Sequence, residues 1–157
     1  MVDFAWIASW CWGLSLILLT IAGHAFGVVV IGREIQRRKV GSLVQLAFRY
    51  PILLPMTLVG AVGLLLAIMH GIEAVLWASV YVWLGAFTTF KDAMLYSVDS
   101  MATRGASGLL LKSHWLMMGA LEASDGMLLF GISTAFVFTV IQEVMALMRE
   151  NKRSEAF

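Results

Sequence analysis

From Phe4 to Gly32 the chain contains no Asp, Glu, Lys or Arg. A run of about 20 apolar residues is enough to cross a bilayer as a helix, so this segment reads as a first transmembrane crossing. The restriction recurs: between Tyr50 and Phe90 the only charge is Glu73, and a third apolar block runs from 115 to 148. Over the whole chain 61% of residues are hydrophobic and 13% charged, which is too apolar for a soluble domain of 157 residues. The pattern describes an all-α integral membrane protein. A net charge of +1 gives no case for nucleic acid as a partner, because such binding needs clustered basic residues and an aqueous face to present them. The single Cys11 forms no intrachain disulfide, and compartment cannot be read from it.

Charge bias orients the crossings. The opening residues MVDF have an acid and no base, so they lack the basic region of a secretory signal, and the first helix is expected to remain in place. Arg33, Arg37, Arg38, Lys39 and Arg49 make 33–49 a basic loop, and Arg149, Lys152 and Arg153 make the tail basic. Both are expected on the cytoplasmic side, with the amino terminus outside. An even number of crossings must then separate them. The block 50–87 therefore crosses once, as a tilted, kinked or partly interfacial helix, unless a hairpin at His70 and Gly71 breaks the parity.

Between the second and third apolar blocks lies TTFKDAMLYSVDSMATRGASGLLLKSHW, too short and polar to cross and return as two helices. Thr89 with Asp92 three residues later is a capping signature, and the glycines after Met101 stop a helix. A short re-entrant helix followed by an irregular loop, MATRGASG, fits. Such backbone is tolerated at membrane depth only when it is buried in protein or lines water.

The order of outer helix, re-entrant helix, polar loop and inner helix resembles the pore module of tetrameric potassium channels, and most closely small bacterial ion-channel proteins of that superfamily. There, a tyrosine or phenylalanine and a serine precede T-x-G-Y-G-D, and a tryptophan, G-A-L-E-A and a glycine-bearing inner helix follow. This chain has Tyr96, Ser97, Thr103, Arg104, Gly105, Ala106, Ser107 and Gly108, then Trp115 and GALEASDG at 119–126. The resemblance extends from Gly71 to Gln142, while the first 50 residues are matched only by an extra amino-terminal helix. It implies a homotetramer with a selectivity filter at Thr103, Arg104, Gly105, Ala106 and Ser107, whose carbonyls replace an ion's hydration shell. Ser107 stands where the family has its second glycine, Ala106 where it has tyrosine and Gly108 where it has aspartate. Selective potassium conduction is therefore not implied, and weakly selective passage of monovalent cations is.

Several side chains follow from this frame. Arg104 either pairs with Asp99 behind the filter or places four arginines on the axis as an anion-favouring or closed constriction. Glu122, within GALEA, is expected to support the loop by hydrogen bonding. Asp125 either rings a central cavity and concentrates cations, or is a surface or inter-subunit acid paired with Lys112 or a lipid headgroup. Gly119, Gly126 and Gly131 suit close helix packing, and Gly126 also a gating hinge.

His24 in the first helix and His70 with Glu73 in the second are costly at membrane depth, which raises metal ligation or proton sensing. Antiparallel packing is expected to set His24 in the cytoplasmic half and His70 nearer the outer side, so the three read rather as polar anchors between helices. No hydrolase triad, nucleotide-binding glycine pattern or metalloprotease spacing occurs, and neither an enzyme nor a cofactor is expected.

The organisation expected is thus a transmembrane helix at 1–32, a basic cytoplasmic loop at 33–49, a channel-like pore module at 50–148 and a cytoplasmic tail at 149–157, in a bacterial inner membrane among its lipids. The competing function is a channel-like protein that does not conduct and acts as a sensor or assembly partner. No ligand-binding domain is expected after Phe157.

Overall fold

A computed structural model describes residues 4–38, 50 and 52–154. They form four α-helices: α1 Phe4–Arg38, α2 Leu53–Trp83, α3 Phe90–Met101 and α4 Leu116–Ser154, with a 3-10 turn at Ser113–Trp115 leading into α4. No strand occurs among the described residues. Three helical stretches are long and apolar enough to cross a membrane, Trp6–Arg37, Pro55–Trp83 and Ser113–Ala146.

α2 is unbroken through His70 and Gly71, so the hairpin does not form. Its 31 residues measure roughly 46 Å at about 1.5 Å per residue, longer than a hydrocarbon core of about 30 Å. Its end is a Schellman motif: Gly85 takes the left-handed conformation at φ 67°, Ala86 N–H bonds the Tyr81 carbonyl and Gly85 N–H that of Val82.

α1 and α4 run further than charge alone indicates. α1 continues past Gly32 through REIQRR to Arg38, because these straight-chain residues are good helix formers once a long helix has nucleated. Arg33 and Arg37 are exposed on its last turns. α4 likewise runs through Arg149 to Ser154. The bases Lys39 and Arg49, and the end of the tail, lie outside the described residues.

The chain divides into two compact units. One holds 1–24 and 68–131, namely the first part of α1, the second part of α2, α3, the loop and the first part of α4. Its core gathers Leu16, Trp77, Tyr81, Ala93, Met118 and Leu121. Within it α1 and α2 run antiparallel: the Trp12 and Trp83 rings meet edge to face at 5.1 Å, and further along α1 and back along α2 His24 meets Glu73. The other unit holds 25–67 and 132–157. There Val62, Leu66 and Val140 are buried, and the Phe136 ring lies against Gly32.

Candidate functional site

α3 begins as its sequence indicates. The Thr89 hydroxyl accepts from Asp92 N–H at 3.1 Å and donates to the Asp92 carboxylate at 2.8 Å, satisfying an otherwise orphaned donor of the first turn. Ala93, Ser97 and Met101 then recur every fourth residue as a buried stripe. With 12 residues the helix extends roughly 18 Å, about half of a hydrocarbon core, so it cannot cross alone.

Its inner face is held by Glu122. Tyr81 from α2 donates its hydroxyl to one carboxyl oxygen at 2.8 Å, and Ser97 bonds the other. Ser97 also contacts the Ala74 carbonyl at 3.0 Å. All three side chains are fully buried. Glu122 thus positions the middle of α3 rather than touching the loop.

Asp99 governs the loop itself. One of its oxygens accepts from Arg104 Nε at 2.6 Å and the other from Ser107 N–H at 2.9 Å, while its main-chain carbonyl accepts from Arg104 N–H at 3.0 Å. The Arg104 hydrogen bond, helped by the Ser107 N–H, lowers the Asp99 carboxyl to about 2. Asp99 is buried while the Arg104 side chain remains 61% exposed, so the guanidinium is an open-faced clamp on a closed acid.

Backbone conformation in the loop alternates. Thr103 at φ 53° and Gly105 at φ 62° are left-handed, Arg104 between them is not, and Gly108 at φ 70° follows later. A β-branched residue at positive φ is strained. Ala106 and Ser107 do not continue the alternation. Ser107 spends its N–H on Asp99, which is why this position accepts a side chain where the resemblance led to expect a second left-handed glycine. Residues 102–106 are exposed.

Asp125 lies between α1 and α2. It is fully buried, accepting from Thr20 at 2.7 Å and from Trp77 Nε1 at 3.1 Å on one oxygen. The other oxygen, Oδ1, is buried with no hydrogen-bond partner among the described residues. Lys112 donates to the Gly85 carbonyl rather than to this acid. Gly126 next to it is required by close approach: a Cβ there would lie 2.7 Å from Met101 Cα. The end of α3 packs backbone to backbone on α4 at this point, which accounts for the glycine without a hinge.

The histidines are a correction. The expectation that depth separates His24 from His70 fails, because α1 extends to Arg38 and α2 ends at Trp83, which brings the two to the same level. His24 Nδ1 lies 2.7 Å from Glu73 Oε1, and His70 Nδ1 lies 3.2 Å from Glu73 Oε2. One ligand atom from each of the three residues falls within 4.8 Å of the others. His24 is fully buried, and His70 stacks on Phe130 with ring centroids 4.7 Å apart.

Thr20 and Trp77, which hold Asp125, drew no notice in the sequence. Their signal was their spacing: Thr20 precedes His24 by four residues and Trp77 follows Glu73 by four, so each shares a helix face with a member of the cluster. The chain matches no protein-family model, no characterised protein and no solved structure.

Proposed function

We propose that four copies of this chain assemble around the 102–112 loop as a weakly selective cation channel in a bacterial inner membrane. The observation that carries this reading is the loop backbone, left-handed at Thr103 and Gly105 on either side of Arg104 and stapled from behind by Asp99. A helix too short to cross, delivering such a loop with residues 102–106 exposed, suits a lining shared between chains, because one loop cannot enclose an ion. The sequence resemblance to potassium-channel pore modules supports the same reading and supplies the number four. Arg104 is engaged by Asp99, which favours cations over anions. The alternation ends before Ala106, so few carbonyls are aligned and discrimination between potassium and sodium is weak. The buried Asp125 has no part in the lining.

Purified protein in planar bilayers tests this through reversal potentials in potassium, sodium and chloride gradients. Similar potassium and sodium permeabilities with little chloride are expected, and Asp99→Asn, which frees Arg104, shifts permeability toward chloride. A wild-type current carried by chloride overturns the cation assignment. Absence of current for every ion moves the reading to a channel-like protein that does not conduct.

A further inference from the structure

We infer that His24, His70 and Glu73 bind one divalent first-row transition-metal ion inside the helical core, whether or not the loop conducts. Two imidazoles and one carboxylate are a donor set suited to zinc, iron and cobalt, and one that leaves a fourth position open. The geometry is close to ligation. Ligand atoms on a tetrahedron with bonds of about 2.0–2.1 Å lie roughly 3.3 Å apart, and the His70–Glu73 pair is at 3.2 Å. No separation in the set exceeds 4.8 Å, so closing to that edge takes at most about 1.5 Å, within the reach of side-chain rotation. The ligands also come from two helices, His24 on α1 and the i, i+3 pair His70 and Glu73 on α2, as in metal sites built between facing helices of bundles.

Charge balance is the second argument. A dication on two neutral imidazoles and one carboxylate leaves one uncompensated positive charge in a low-dielectric interior. Asp125 supplies the missing negative charge. It is held by Thr20 and Trp77, each one helical turn from His24 and Glu73 respectively, and it lies within electrostatic reach of both Glu73 and His24. Its Oδ1 is fully buried without a hydrogen-bond partner among the described residues, an acceptor suited to water on the open coordination position. Access lies on the His70 side, whose side chain is 18% exposed under a Phe130 ring that is itself half exposed.

The test is titration of the purified full-length chain in detergent with Co2+ alone, read by its visible d–d bands, followed by displacement with Zn2+ against a chromophoric chelator. One Co2+ per chain with four- or five-coordinate bands is expected. Glu73→Gln and His70→Gln should each weaken binding by more than about 100-fold, beyond the roughly 10–100-fold typical of outer partners and expected for Asp125→Asn. His114→Gln, at the exposed third histidine, should change nothing. X-ray absorption of the zinc-loaded wild type needs no variant and should show two imidazoles with oxygen ligands. Absence of stoichiometric binding, loss of binding in His114→Gln, or a spectrum with fewer than two imidazoles overturns the site.

Discussion

The phenolic hydroxyl of Tyr81 donates to a carboxyl oxygen of Glu122 across 2.8 Å, between two side chains with no solvent exposure. With Ser97 on the other oxygen, this junction ties α2, α3 and α4 together. Glu122→Leu should destabilise the chain by about 1–3 kcal/mol, because it strands a buried hydroxyl. Interhelical hydrogen bonds in membranes average nearer 0.6 kcal/mol, so Glu122→Gln, which keeps an acceptor, should stay within about 1 kcal/mol of the wild type. Unfolding by a denaturing detergent measures both.

Asp99 and Arg104 are unequal partners. Removing the largely exposed arginine leaves Asp99 with the Ser107 N–H, whereas removing the acid takes the acceptor from both. Amide exchange at Ser107 should therefore accelerate far more in Asp99→Asn than in Arg104→Met, and a double-mutant cycle should show coupling rather than additivity. Equal acceleration in the two single variants would contradict the asymmetry.

The same acid gives the loop a pH limit. Its carboxyl lies at about 2 in the folded chain against an ordinary 3.8, so its contribution is complete above the ordinary value and disappears as pH falls through the folded one. Ser107 protection should hold at pH 5, decline between about pH 4 and pH 2 and be insensitive to pH in Asp99→Asn.

Thr103 stands at φ 53°, a conformation that costs a β-branched residue roughly 1–3 kcal/mol. Thr103→Gly should raise stability by about 1 kcal/mol while loosening the loop. Thr103→Val, equally strained, should not raise it. Thermal unfolding of the three proteins settles the order.

Two glycines on α4 should respond oppositely to alanine. Gly126→Ala drives a methyl group into the Met101 backbone, which cannot yield, whereas the position a Cβ would take at Gly131 has nothing within 4 Å. The first should destabilise by 1–3 kcal/mol or about that, as overpacking does. The second should be neutral or stabilising by about 0.5–1 kcal/mol.

Local features were legible in the sequence because local rules produce them. Long apolar runs with few charges mark the three long helices, Thr89 and Asp92 mark where α3 begins, and five-residue spacing puts Arg104 within reach of Asp99. Contacts between helices were not legible. Whether His24 meets Glu73 depends on helix ends, and those moved once α1 was carried through REIQRR by propensity rather than stopped by charge. The surroundings of Asp125 were not legible for a related reason: its donors, Thr20 and Trp77, are ordinary residues for an apolar helix, and only packing shows that both point at one carboxylate.

The pairing of His24 with Glu73 also bears on how the chain is made. A ribosome delivers α1 before α2, and α4 last. The acid of α2 therefore finds its imidazole within the first two helices, whose polar groups near that level can satisfy one another before anything further is synthesised. Glu122 and Asp125 have no such partner on their own helix. They enter when Tyr81, Trp77 and Thr20 already stand in place, and each acid would be stranded in lipid without them. The two acids of α4 thus depend on side chains that α1 and α2 present together.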